Sequence, residues 1–577
     1  MGQAIHQQNE IHFFDQDRNY WGSIAGILLV TFVVFYPSLS CGFTNWDDEA
    51  YVVENATIRQ FDIGEIFSAF TAALYTPLTI LSYSLDYFLG GLKPVYYHLD
   101  SLLWHLLNVV LVIVFLTKFS KDRFIALVVG LLFAIHPTHV EPVVWVSSRK
   151  DLLATFFSLL SLLAYWEYKA GNGHTRYMWL GAWCCMVLAC LSKPTAFGLP
   201  VVFVVLDYQI ERRWTFSMFW KKWPFLLVSF ATVAMGGYVV RSLGIKIAFE
   251  EGYGVWEVVC MACYGIVFYF YRAAVPIRLS NYHVYPFPHS DMPVEYTLAP
   301  FLFVLLAFLF WKFRAKLPEW QIALLLFFSL LLPTYRFYPA GYPLVAERYF
   351  YLSSVGLFYL LANFFKAFLA KKTRSTHFVS LLFGILFLAI CGVSSAARTT
   401  VWKNSQTLWT STIKTYPNLY YAYASRGRYY LKIGNREKAL ADLGKAVELQ
   451  NEDADLLNTY GNILYEEGDT SSALRLLNRC LSFDTTKSIY FYNRANILKA
   501  MGKFEPSIQD YDKCLQKDSM LAEAYNNRGV AKIFIGDTLG AYKDFTQAVK
   551  LNLFNAMFLD NLRRAEQLVK TKRNGTN

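Results

Sequence analysis

The chain has 577 residues, of which 55% are hydrophobic, 18% aromatic and only 17% charged, with a formal net charge of +11. A soluble domain carries roughly a quarter charged side chains, so a wholly soluble enzyme is excluded, and so much apolar content excludes a disordered chain. The 97 charged side chains are spread unevenly, 53 in residues 1–400 and 44 in the much shorter stretch 401–577. That division predicts a polytopic membrane domain over 1–400 followed by a water-soluble domain over 401–577.

Taken in chain order, the apolar runs fall at 21–40, 99–117, 124–140, 150–168, 176–192, 196–210, 222–241, 255–275, 298–313, 320–335, 344–365 and 378–396. The first reads as a signal anchor that stays. The positive charge lies in short clusters between the runs, which is the positive-inside pattern of a membrane protein and not the footprint of a nucleic-acid binder. Arg18 and the clusters Lys118/Lys121/Arg123, Lys169/Arg176, Arg212/Arg213/Lys221/Lys222, Lys312/Arg314/Lys316 and Lys366/Lys371/Lys372/Arg374 are all cytoplasmic only if one segment between 242 and 297 does not cross. The run 255–275 is the expected one, as a re-entrant or interfacial helix. The count is then odd, near eleven, and the C-terminal domain lies outside the cytoplasm. The nine cysteines are too scattered for a disulfide framework, and Cys260-x-x-Cys263 has no second pair near it.

This orientation collects the reactive side chains on the outer face. The first outer loop, Gly42-Phe43-Thr44-Asn45-Trp46-Asp47-Asp48-Glu49, places three carboxylates side by side, where mutual repulsion raises a pKa or favours a bound cation. A plain solvated acidic loop is the competing reading. Tyr75 to Leu92 suits a helix lying in the interface. The next outer loop runs from His136 to Asp151 and holds His136, His139, Glu141, Arg149, Lys150 and Asp151. Pro137 and Pro142 break the helix that would align His136, His139 and Glu141 on zinc. A site for a lipid phosphate is better motivated, using His139, Arg149 or Lys150, with His136, Lys193 and Arg348 on the same face. Asp151 and Glu347 are further candidates there. Metal dependence is left open.

Beyond residue 400 the sequence repeats. Gly434, Gly468, Gly502 and Gly536 stand 34 residues apart, and Gly427, Gly461, Ala495 and Gly529 precede them by seven. Ala439, Ala473, Ser507 and Ala541 keep the same period, as do Ala446, Cys480, Cys514 and Ala548. Small residues at these places let paired antiparallel helices approach closely, the signature of tetratricopeptide repeats. The expected units are 420–453, 454–487, 488–521 and 522–555, with a capping helix at 556–571. Segment 402–417 is in frame as the second helix of an incomplete preceding unit. Asn493, Arg494, Asn526, Asn527 and Arg528 are candidate groove residues for a protein partner.

Trp46-Asp47-Asp48, the stretch from His136 to Asp151, Lys193-Pro194 and Ala346-Glu347-Arg348-Tyr349-x-Tyr351-Leu352 together resemble the transmembrane-and-tetratricopeptide-repeat (TMTC) proteins. The order of domains matches as well. The resemblance implies an all-α protein with a membrane domain of the GT-C glycosyltransferase type, a protein O-mannosyltransferase. It implies a polyprenyl- or dolichyl-phosphate-linked sugar as donor and a Ser or Thr of a protein as acceptor, with no nucleotide sugar. By motif, the catalytic base is Asp47 or Asp48, with Glu49 adjacent. The expected setting is a bacterial inner membrane with periplasmic repeats, or an endoplasmic reticulum membrane with luminal repeats. The competing readings are a non-catalytic scaffold recruiting partners through its repeats, and a transporter of lipid-linked sugar. The second would want ionisable residues near mid-membrane, and Asp86, Asp100 and Asp207 all fall near helix ends.

Overall fold

The computed structural model describes residues 2–171, 175–242, 253–284, 292–313, 318–335, 343–370 and 374–574. The described residues are helical apart from short loops and one isolated bridge between Thr71 and Leu74. They form two compact units, Met1–Thr415 and Tyr416–Asn577. The division thus falls fifteen residues later than the composition break at 400.

Each apolar run of the first unit is helical. Among the described residues seven helices are long and apolar enough to cross a membrane: Asn19–Ser40, Pro94–Ser120, Trp223–Ser242, Val255–Ala274, Val294–Phe313, Glu347–Leu369 and Phe378–Lys403. A further apolar pair, Arg123–Ile135 and Pro137–Val144, is bent by 54°, a broken span or a re-entrant loop, where His136 takes an extended backbone and Pro137 starts a new turn. Arg149–Ala170, Thr175–Ser192, Leu199–Glu211 and Pro318–Leu331 are helices less apolar or shorter than these.

Two contacts fix the parity of this multi-pass domain. Gly42 N, just past the first span, donates to Lys403 O, at the end of the last, at 2.9 Å. Both spans therefore end on one face, and the number of crossings is odd. Tyr238, near the end of Trp223–Ser242, meets Phe70 of the first loop, with ring centroids 6.1 Å apart, so that helix ends on the first-loop face too. The chain then leaves Val255–Ala274 on the same face: Ser280 N donates to Glu347 Oε1 at 2.9 Å and Thr412 Oγ1 donates to Asn281 Oδ1 at 2.5 Å. Val255–Ala274 is itself long and apolar enough to cross, and residues 243–252, which lead into it, lie outside the described residues, so the expectation that it does not cross is not decided by these contacts. The interfacial expectation for Tyr75–Leu92 corresponds to the helix Pro77–Gly90, stopped by Gly91 at φ 61°.

The second unit is four helix pairs, beginning with Tyr420–Lys432 and Arg436–Leu449 and ending with Ala522–Phe534 and Thr538–Leu551, then the helix Ala556–Asn574. The 34-residue period has two physical causes. Gly434, Gly468, Gly502 and Gly536 sit in the turn of each pair at φ between 73° and 91°, a region costly for any other residue. Gly427 and Gly529 lie where the paired helix presses closest, since a Cβ on either would stand 2.8 Å from Leu443 or Phe545.

One segment departs from expectation. The helix Ser405–Thr415 keeps the frame of a second repeat helix, with Ser405 and Thr412 where small residues recur and Trp409 where Leu443, Leu477, Tyr511 and Phe545 are buried. It nevertheless belongs to the first unit and packs there on the first loop. The positions a repeat would bury against its own first helix are buried against Asn45 and Trp46 instead.

Candidate functional site

Four stretches meet on the first-loop face: Gly42–Asp48, the loop ending at Asp151, Lys193 with the turn Pro194–Gly198, and the turn Glu347–Tyr349. Their centre is aromatic. Trp46 stacks on Trp145 at 4.4 Å and 13°, and Trp402 and Trp409 close around it at 6.4 and 5.8 Å.

The two aspartates of the first loop have opposite roles. Asp48 is 1% exposed and accepts four hydrogen bonds. Thr44 gives its N–H and hydroxyl to Oδ2 at 2.8 and 2.9 Å, and Ser147 gives its N–H at 2.9 Å and its hydroxyl to Oδ1. Burial pushes its carboxyl above the usual range, while these donors pull it down; burial is the larger effect. Asp47 keeps 36% of its side chain exposed, with Lys150 Nζ 3.6 Å from Oδ2. Glu49 is half-buried at the start of the tight turn Glu49–Val53.

Three cations lie among these loops, each with its own partner. Lys150 lies over the rings of Tyr51 and Trp145 at 4.2 and 5.5 Å. Lys193 pairs with Asp151, which also accepts from Ser148 Oγ at 3.1 Å. Arg348 pairs with Glu141 and lies over Trp145 and Trp46 at 5.3 and 5.8 Å. Glu347 is buried, takes the Ser280 N–H, and stands 3.8 Å from His283 Nε2. Asp151, Lys193 and Arg348, with the hydroxyls of Thr155, Thr334 and Tyr349, line a small polar cavity of about 50 Å3. Beside it, where Leu331, Leu332 and Tyr335 continue the wall begun by Leu330 and Thr334, an apolar groove of about 490 Å3 runs past Val204, Leu226 and Phe328.

Three of the expected phosphate-binding residues are not brought to this opening. His136 and His139 are wholly buried: His136 Nδ1 bonds Thr138, and His139 lies between Phe133 O at 2.7 Å and Ser354 Oγ at 3.1 Å. The bend at Pro137 turns both rings into the helix core, and with Glu141 paired to Arg348 they do not converge on a common point. Among the described residues no group of three or more His, Cys, Asp or Glu side chains is placed to share a metal ion. Arg149 is 0% exposed and turned the other way, where it pairs with Asp86 and Asp100 and donates to Tyr97 O at 2.6 Å. A residue starting a helix points about 100° from its successor, so Arg149 and Lys150 cannot serve the same side.

Ser147 and Thr44, which hold Asp48, and Trp402, Ser405 and Trp409 were not expected at the site. Two tryptophans seven apart just after the last span were the available signal, masked by the repeat frame.

In the second unit the groove candidates are largely tied into the array itself. Arg494 and Arg528 grip Asp510 and Asp544 of the paired helix with both ends of the guanidinium, at 2.6–2.9 Å, as Arg426 grips Asp442. Asn493 donates to Asn458 of the preceding repeat at 2.9 Å, and Asn526 accepts from Asn561 of the capping helix at 2.8 Å. Asn527 is half-buried and donates to Tyr492 and Asn496.

The comparisons with known proteins cover both units. The tetratricopeptide-repeat family profile matches residues 420–453 and 489–517. Human protein O-mannosyl-transferase TMTC3 is 24% identical over 618 residues, which cover 93% of this chain and 65% of that protein. Mouse TMTC2, of the same description, is 35% identical over 146 residues, 24% of this chain and 17% of that protein. The chain is thus similar along most of its length to a TMTC protein. It spans just under two thirds of the length of human TMTC3. Among solved structures, MamA is 22% identical and covers 26% of this chain and 88% of its own, with a TM-score of 0.25.

Proposed function

We propose that the protein is a membrane glycosyltransferase that moves a mannosyl group from a polyprenyl- or dolichyl-phosphate to a Ser or Thr hydroxyl of a protein. The observation that carries this reading is the division of labour between adjacent aspartates: Asp48 is pinned by four hydrogen bonds, while Asp47 stays partly exposed beside Lys150. Asp47 takes the proton of the acceptor hydroxyl, whose oxygen attacks the anomeric carbon. The bond from that carbon to the phosphate oxygen breaks, and the lipid phosphate leaves with its charge met by Lys150, Lys193 and Arg348. The apolar groove beside the polar cavity suits the isoprenoid tail. The repeats would hold the acceptor chain, outside the cytoplasm: in the periplasm of a bacterium, or in the lumen of the endoplasmic reticulum. The homologues' description as protein O-mannosyl-transferases supports the choice of sugar and acceptor.

The test is transfer of radiolabelled mannose from polyprenyl-phosphate donors to protein acceptors, with purified wild type beside Asp47→Asn. Label that appears in the wild type and disappears in the variant supports the reading. Wild type that transfers nothing from any donor to any of a panel of acceptors overturns it in favour of a scaffold.

A further inference from the structure

The helix Ser405–Thr415 and the turn before it touch both walls of the site, although they lie at and beyond the end of the last span and far in sequence from every reacting group. On one wall they hold the first loop at successive points. Lys403 O accepts from Gly42 N at 2.9 Å, Ser405 Oγ accepts from Asn45 N at 2.8 Å, and Trp409 Nε1 donates to Asn45 Oδ1 at 2.8 Å. Asn45 is thus gripped at both backbone and side chain, two residues before Asp47. Trp46 packs among Trp145, Trp402 and Trp409, with Trp145 and Trp402 themselves stacked 5.8 Å apart. On the opposite wall, Thr412 donates to Asn281 at 2.5 Å, and the neighbouring Ser280 donates to Glu347, the residue before Arg348.

We propose that residues 402–412 act as a strap that sets the distance between the Asp47 loop and the Arg348 turn, with Ser405 and Trp409 as positioning residues for Asp47. The assignment of Asp47 as the base rests on the proposed transferase reading; the geometry of the strap does not. Asp47 has one ion pair, to Lys150 at 3.6 Å, whereas its neighbour Asp48 takes four hydrogen bonds. Its bearing is fixed from behind by Asp48 and from in front by Asn45, and only the second anchor comes from outside the two outer loops. A base displaced by a fraction of an ångström loses alignment with the hydroxyl it must deprotonate while the cations that hold the donor stay in place. The strap should therefore act on turnover and not on donor affinity.

The test uses the full chain in detergent or nanodiscs with Ser405→Ala, Trp409→Phe, the double variant and Ser405→Thr. Hydrogen exchange over the peptide 42–48 reads the strap directly. Exchange of that peptide is expected to quicken about tenfold in the double variant and to return towards wild type in Ser405→Thr, which keeps the hydroxyl. In transfer assays kcat is expected to fall about tenfold in the double variant with the donor KM within twofold of wild type, and to recover in Ser405→Thr. Unchanged exchange in the double variant overturns the strap. Quickened exchange with unchanged kcat overturns its role in positioning. If the wild type transfers nothing, the transferase reading fails separately, and exchange alone decides whether residues 402–412 hold the loop.

Discussion

Ser147 donates both its backbone N–H and its hydroxyl to one oxygen of Asp48, and so ties the loop after the first span to the loop that carries Lys150 and Asp151. Thr44 occupies the other oxygen in the same way, so the carboxylate has no edge left for a substrate. Asp47→Asn is therefore expected to abolish transfer while the melting temperature in detergent holds. Asp48→Asn turns an NH2 group towards two buried donors, and leaving them unpaired costs at least about 2 kcal/mol. Its first effect is a lower melting temperature, with any loss of transfer following from that. Thermal melting and transfer measured on both variants separate the roles; a stable Asp48→Asn protein with no activity would reverse them.

The cations divide just as sharply. Lys193 and Arg348 line the polar cavity, whereas Arg149 is sealed between Asp86, Asp100 and Tyr97. Removing one charge-assisted contact to a phosphate costs about 1.5–3 kcal/mol, so Lys193→Gln is expected to raise the donor KM about tenfold or more. Arg149→Gln strands the buried Asp86 carboxylate and is expected to cost about 3–5 kcal/mol of stability, with no change of KM in the protein that still folds. Steady-state kinetics over a donor series, together with thermal melting, check both.

The sequence made the repeats legible because each of their constraints recurs every 34 residues: a left-handed turn at Gly434 and its equivalents, and a close approach at Gly427 and Gly529. It made the shared face of the first and last apolar helices' ends legible because the Lys and Arg clusters record sidedness. Side-chain direction was not legible. His136, His139 and Arg149 stand in the same outer loop as Lys150, and only the bend at Pro137 and the helix starting at Arg149 decide which of them face the opening. Ser405 and Trp409 were hidden for another reason: a repeat helix and a helix packed on a loop bury the same positions, and the pattern does not say against what.

Asp86 supplies a pH dependence. Burial, with the Asp100 carboxylate beside it, pushes its carboxyl up to about 6 against the pull of Arg149, from an ordinary value of 3.8. The folded protein therefore holds this proton more tightly than the unfolded chain, and between about pH 4 and pH 6 stability falls as pH rises. Asp86→Asn removes the titration and keeps an acceptor for Arg149. The wild type is expected to lose melting temperature relative to Asp86→Asn as pH rises across that window, and the difference to stay constant above about pH 7. A difference that moves in the opposite direction would show that Arg149, and not burial, governs Asp86.

In the repeats, Arg494 and Asp510 form a two-pronged pair between helices of one unit, repeated at Arg528 and Asp544. Asp510 is buried and Arg494 is mostly so, which removes much of the solvent screening that makes surface pairs weak. Arg494→Ala alone leaves a buried carboxylate without its partner, while the double change with Asp510→Ala removes the whole interaction. A double-mutant cycle on thermal or denaturant unfolding is expected to give a coupling of about 1–3 kcal/mol. Acceptor binding should follow stability and show no effect of its own, because both ends of the guanidinium are already engaged. If Arg494→Ala weakens acceptor binding at full stability, the arginine reaches a partner in spite of its pairing, and the groove passes over this clip.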